Sequence, residues 1–198
     1  MSARPVLKGT TVVEAASGLA GPMAGCRLAD LGANVVKVEW DDGDWMRQCP
    51  PFLKDGTSAD FLALNRGKRS VLLGAGPEQR ATLLRRLVAT ADVLITDQDS
   101  DGLAALGLEG ADAETCAWNP QLIVAQISAL GREGPLSGMP GSELGAQAMA
   151  GYTRYVGMLG KQSIRLGADV AGASTAIFTT QAELAAEAAL RGCRALDA

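Results

Sequence analysis

The chain has 198 residues, 47% of them hydrophobic and 20% charged, with 22 acidic and 18 basic side chains and a net charge of −4. That length suits one domain around one substantial core, and that composition excludes a disordered chain. The acidic balance gives no electrostatic footprint for nucleic acid. No apolar run reaches the length of a membrane span and MSARPVLKG lacks a signal-peptide core, so a cytoplasmic protein with no nucleic-acid or membrane partner is expected.

The first predicted unit organises the rest. Thr11–Val13 and Val35–Val38 are β-branched runs, as strands are. Between them Ser17–Pro22 reads as a Gly/Ala turn and Met23–Leu31 as a helix. Pro22 suits a first helical turn, where its missing N–H would be unpaired anyway, and Gly32 suits the left-handed position that ends a helix. Strand, helix and strand make a βαβ unit, hence a parallel pair with a right-handed crossover and a helix N-terminus offering positive partial charge. Asp41–Thr57 follows as a polar loop containing Gly43-Asp44-Trp45-Met46-Arg47. Phe61, Leu62 and Leu64 read as a short packed turn, Asn65–Ser70 as a basic loop and Val71–Leu73 as the third strand.

Gly76-Pro77 opens a helix over Glu78–Thr90, with Leu83, Leu84, Leu87 and Val88 at helical spacing. Val93–Thr96 is the fourth strand, Gly102–Leu108 a short helix ended by Gly107, Ala113–Trp118 a further helical turn and Leu122–Ile127 the fifth strand. A Gly/Pro-rich stretch, 131–145, precedes a helix over Gln147–Tyr155 and an Ala-rich helix over Ser174–Leu190. Strands alternating with helices predict an α/β fold, a Rossmann-like, mostly parallel sheet with flanking helices. No linker or internal repeat divides it.

Chemistry-bearing residues are few. There is no histidine, which excludes Ser-His-Asp and Cys-His catalysis within this chain and argues against zinc. Cys26, Cys49, Cys116 and Cys193 lack metal or redox spacing and read as reduced thiols. Gly18-Leu19-Ala20-Gly21 lacks the G-x-G-x-x-G spacing of a dinucleotide loop. Arg66, Lys68 and Arg69 read either as a phosphate clamp or as a solvated loop. Asp169, between Gly167-Ala168 and Val170-Ala171-Gly172, reads either as a helix cap or as a carboxylate left accessible by small neighbours and able to attack an activated acyl group. Glu143, in the glycine-rich stretch, reads on its own as a solvent-exposed carboxylate.

Ten short patterns then fall in order along nearly the whole chain. They are L-x-G-x-x-V at Leu7–Val12, A-G-P at Ala20–Pro22, L-A-D-L-G-A-N-V-V-K-V-E at Leu28–Glu39, G-D-x-x-R at Gly43–Arg47 and N-R-G-K-R-S-V at Asn65–Val71. A-D-V-L-I at Ala91–Ile95, N-P-x-L-I at Asn119–Ile123, G-x-x-G-P at Gly131–Pro135, Q-A-x-x-G at Gln147–Gly151 and A-D-x-x-G at Ala168–Gly172 complete the series. In these the chain resembles the N-terminal part of the class III CoA-transferases, the CaiB/BaiF family, which includes formyl-CoA transferase and the α-methylacyl-CoA racemases.

The resemblance implies the first half of the CaiB/BaiF fold, with residues 1–198 forming the N-terminal portion of the large domain and the small domain absent. It implies an acyl-CoA and a carboxylic acid as substrates, the CoA thioester being substrate, with no resident cofactor and no metal. The family's catalytic aspartate lies in A-D-x-x-G, which places it at Asp169. That carboxylate is expected to carry an acyl anhydride and then an aspartyl-CoA thioester. The implied CoA contacts are Leu19, Ala20, Trp40, Leu73, Gly74, Ala75, Gly76, Asp97, Gly141, Ser142 and Glu143. Racemases of the family carry a histidine where Ser142 stands, and serine cannot relay protons at neutral pH as histidine can. A racemase or isomerase is thus one alternative, and a non-catalytic partner of a full-length homologue is another.

Departures from the family pattern bear on binding. Leu73-Gly74-Ala75-Gly76 lacks the lysine usual after the third strand, Asp97 replaces an asparagine, Ala105 an arginine, and Trp40 a frequent cation. A charged hydrogen bond of that kind is worth about 1.5–3 kcal/mol, so weakened CoA binding is expected. Family chains run to roughly twice this length and form interlocked dimers. The resemblance therefore implies a homodimer, or a hetero-oligomer with a chain that supplies the other half.

Overall fold

The computed structural model describes residues 5–41, 43–74, 76–111, 116–137, 139–156 and 162–196. Five parallel strands form the sheet: β1 Thr11–Ala15, β2 Asn34–Trp40, β3 Arg69–Leu73, β4 Val93–Thr96 and β5 Ile123–Gln126. Their spatial order is β3-β2-β1-β4-β5. Each of the expected strands is present, and the β-branched runs supply the two central ones. Val12 of β1 pairs with Val35 of β2 on one side and Val93 of β4 on the other.

Helices cover both faces, as a parallel sheet requires. Successive β1 residues point to opposite faces. Val12 joins Ala24 and Leu28 of helix α1 (Ala20–Asp30) and Ala176 of helix α7 (Val170–Leu196). Val13 joins Leu84 and Val88 of α3 (Pro77–Val88) and Leu103 of α4 (Ser100–Ala105). Helix α2 (Ala59–Asn65) starts at Ser58, whose hydroxyl accepts from the Phe61 amide. The expected packed turn there is therefore a capped helix.

Two other expectations change. The helix expected over Gln147–Tyr155 is two, α5 (Glu143–Met149) and α6 (Tyr152–Tyr155), because Gly151 turns the chain at φ +81°. The last helix begins at Val170 rather than Ser174, since Glu143 supplies its cap from elsewhere in the fold. The helical turn expected over Ala113–Trp118 falls largely outside the described residues. Among the described residues no helix is long and apolar enough to cross a membrane.

A buried ionic network braces the carboxyl end of β1. Lys37 Nζ lies 3.0 Å from Glu14 Oε1 and 2.8 Å from Asp44 Oδ2, and donates to the Ala16 carbonyl at 2.9 Å. Lys68 Nζ sits 2.7 Å from Glu14 Oε2 and donates to the Pro22 carbonyl. Burial disfavours the charged form of both lysines. At Lys37 the Glu14 and Asp44 carboxylates outweigh it and hold the ammonium above its usual range, whereas at Lys68 burial wins and the pKa falls. Lys68 is thus a buried strut for the β1–α1 turn, neither a solvated residue nor a phosphate clamp, while Arg66 pairs with Asp30 on the surface.

Candidate active site

In an open parallel sheet, ligands bind where the strand order reverses, outside the carboxyl ends of the strands. Here that point lies between β1 and β4, because β2 and β3 extend from one side of β1 and β4 and β5 from the other. A cleft of about 760 Å³ opens there. Ser17 and Ala20 line it from the β1–α1 turn, Asp97 from the end of β4, Ser142 and Glu143 from the start of α5, and Gly172 from the first turn of α7.

The β1–α1 turn is held from beneath. Asp44 Oδ1 accepts from the Gly18 amide at 3.1 Å and from the Met46 amide at 2.9 Å. Asp44 is itself placed by its own amide, which donates to Glu39. Burial alone would raise the Glu39 carboxyl, but hydrogen bonds from Arg47, Ser70 and the Asp44 amide outweigh it and lower its pKa to about 2. From above, Asp97 Oδ2 accepts from the Ser17 amide at 3.0 Å and from the Ser17 hydroxyl at 3.3 Å.

Glycines set the cleft walls. A Cβ on Gly141 would lie 1.9 Å from Ala129 Cβ, so only glycine lets the approach to α5 cross the segment after β5. A Cβ on Gly172 would lie 2.8 Å from Leu19 Cδ2, so the glycine of A-D-x-x-G brings the start of α7 against the start of α1.

Asp169 immediately precedes α7, half-exposed, and its carboxylate pairs with Arg165. The amides that a capping Asp169 would take belong to Ala171 and Gly172. Both donate instead to Glu143, to Oε1 and Oε2 respectively, at 2.9 Å each. Glu143 is therefore half-buried and engaged rather than solvent-exposed. Burial would raise its carboxyl, but hydrogen bonds from Gln147, Ala171 and Gly172, with the Arg165 charge, hold it below the usual range.

Of the residues expected to contact CoA, Ala20, Asp97, Gly141, Ser142 and Glu143 line this cleft, and Leu19 packs beside it. Trp40, Leu73, Gly74 and Gly76 lie apart from it, at the carboxyl ends of β2 and β3 and the start of α3, with Leu73 buried and Trp40 packed on the core. Ala75 falls outside the described residues. Sequence reasoning missed Arg165 beside Asp169, and it missed Gln147, quoted only as part of a pattern. A glutamine at 1% exposure cannot be told from a surface one before its partners are known. Among the described residues no cluster of three or more candidate ligands for a metal occurs.

The fold is thus an α/β scaffold with a cleft at the switch point of a parallel sheet, and Asp169, just before the cleft-lining first turn of α7, carries a carboxylate that does not cap that helix. The sequence model of CoA-transferase family III matches residues 7–192, and the chain belongs to that family. It is 39% identical over 190 residues to the succinate–glutarate CoA-transferase of Agrobacterium fabrum, covering 92% of this chain and 47% of that protein. It is 31% identical over 182 residues to the human succinyl-CoA:glutarate CoA-transferase, covering 90% of this chain and 41% of that one. A CaiB/BaiF family protein from Brucella suis superposes with a TM-score of 0.85 at 36% identity, over 96% of this chain and 50% of that chain. The chain thus spans about half the length of the relatives it matches.

Proposed function

We propose that this chain carries the nucleophile half of an acyl-CoA:carboxylate CoA-transferase site, with Asp169 as the nucleophile. The observation that carries the reading is the division of labour at α7: Glu143 takes the helix amides and leaves the Asp169 carboxylate available. One Asp169 oxygen attacks the thioester carbonyl carbon; a C–O bond forms, the C–S bond breaks, and CoA leaves as thiolate. The thiolate then attacks the Asp169 carbonyl of the mixed anhydride, releasing the donor acid and leaving an aspartyl-CoA thioester. An acceptor carboxylate displaces CoA from Asp169, and the returning thiolate takes the acceptor's acyl group and frees the aspartate. The energy of the thioester is retained at each exchange.

Arg165, released from its ion pair as Asp169 is acylated, can meet the oxyanion that develops. The names of the relatives make succinyl-CoA the donor to try first. The length those relatives carry beyond this span would be supplied in cis or by a partner, as a homodimer or a hetero-oligomer. The test is transfer from succinyl-CoA to glutarate by the chain, alone and complemented with the C-terminal half of the A. fabrum relative. Turnover is expected chiefly with the complement. Asp169→Asn and Asp169→Ala should abolish it and Glu143→Gln should slow it less. Undiminished transfer by Asp169→Ala would remove the assignment.

A further inference from the structure

Gln147 is the most deeply buried polar residue around Asp169, at 1% exposure, and each end of its amide is committed. Its Oε1 accepts from the Leu166 amide at 2.9 Å. Its Nε2 donates to the Ala168 carbonyl at 3.0 Å and to Glu143 Oε1 at 2.9 Å. The Leu166 and Ala168 contacts fall on the strand of chain that leads directly into Asp169. The Glu143 contact fixes the carboxylate that holds Ala171 and Gly172 on the other side of it. One side chain on α5 therefore determines the backbone before the aspartate directly and the backbone after it through Glu143.

The same geometry explains why a glutamine serves here. The site needs one acceptor for an N–H and two donors, one toward a carbonyl and one toward a carboxylate, all at one position. A primary amide offers that set; a carboxylate has no donor to give and an aliphatic side chain has neither. We propose that Gln147 is a positioning residue for acyl transfer: it sets the placement of the Asp169 carboxylate against the thioester without touching substrate. This rests on the reading of Asp169 as nucleophile, and its test separates the two.

The measurement is the single-turnover rate of CoA release and Asp169 acylation by succinyl-CoA in the complemented protein, set beside the dissociation constant for succinyl-CoA. A displacement of about 1 Å at a reacting atom costs on the order of 100-fold in rate. Gln147→Leu is therefore expected to slow acylation by about 100-fold while leaving the dissociation constant within about threefold. Gln147→Glu keeps the length and loses the donors when ionised, so its deficit relative to the wild type should shrink as pH falls and a protonated carboxyl restores one donor. Acylation at the wild-type rate in both variants would overturn the positioning role. So would a shared loss of fold, or a Gln147→Glu deficit that is the same at every pH. Absence of any adduct on Asp169 in the wild type would instead overturn the nucleophile itself, and the positioning role with it.

Discussion

Two buried carboxyls pull the pH dependence of stability in opposite directions. Glu183, on α7, is 2% exposed, and among the described residues neither of its oxygens has a hydrogen-bond partner. Burial first, and repulsion from Glu14 second, push its carboxyl up to about 8. The folded chain keeps this proton over a range in which the unfolded chain has lost it, so stability falls as pH rises from the ordinary glutamate range toward 8. Glu39, held down to about 2, does the reverse: its contribution is complete above the ordinary glutamate range and is lost as pH falls through about 2. Glu183→Gln should therefore stabilise the protein by about 1–3 kcal/mol at pH 8 and by little at pH 5. Urea denaturation of both forms at the two pH values checks this; an equal effect at each pH would show that Glu183 is not the titrating group.

At the scale of elements, the start of α7 depends on α5 more than on its own residues. Removing Glu143 leaves two helix amides without their carboxylate, and charged hydrogen bonds of this kind are worth about 1.5–3 kcal/mol each. Glu143→Ala is expected to cost about 2–4 kcal/mol in chemical denaturation, below the two-bond sum because water reaches this half-buried helix end, with Glu143→Gln costing roughly half as much because one acceptor remains. Gly172→Ala should lower transfer activity more than stability, since the added methyl meets the flexible tip of Leu19 at the cleft wall rather than backbone. Thermal melts beside initial rates separate the two effects.

These couplings mark the boundary of what the sequence could disclose. Strands such as Val35–Val38 and the glycine stop at Gly32 declare themselves through local chemistry, and the structure has both. Glu143 capping a helix 28 positions away does not, because only the tertiary fold brings carboxylate and amide together. Lys68 likewise sits among basic neighbours in sequence and among Glu14 and Asn65 in space. The pattern around Asp169 marked it as a candidate and left open whether it caps α7; that Glu143 takes the Ala171 and Gly172 amides emerges only in the fold.

Across the whole molecule, large apolar side chains stay exposed near the cleft's helices: Met149 at 61%, Tyr155 at 84% and Phe178 at 70%. Sizeable uncovered apolar surface usually marks an interface. Self-association or capture of the complementing half is expected, and Phe178→Ser with Tyr155→Ser should shift the species seen by analytical ultracentrifugation toward the monomer. An unchanged distribution would place the interface elsewhere. The proposed chemistry passes through one carboxylate, Asp169, and covalent trapping reads its acylation. The complemented protein is incubated with succinyl-CoA, quenched with hydroxylamine and mapped by peptide mass spectrometry. A hydroxamate at Asp169, and at no other carboxyl, is the predicted result. An unmodified Asp169 under conditions that release CoA, or a hydroxamate at a different residue, would rule out Asp169 as the nucleophile.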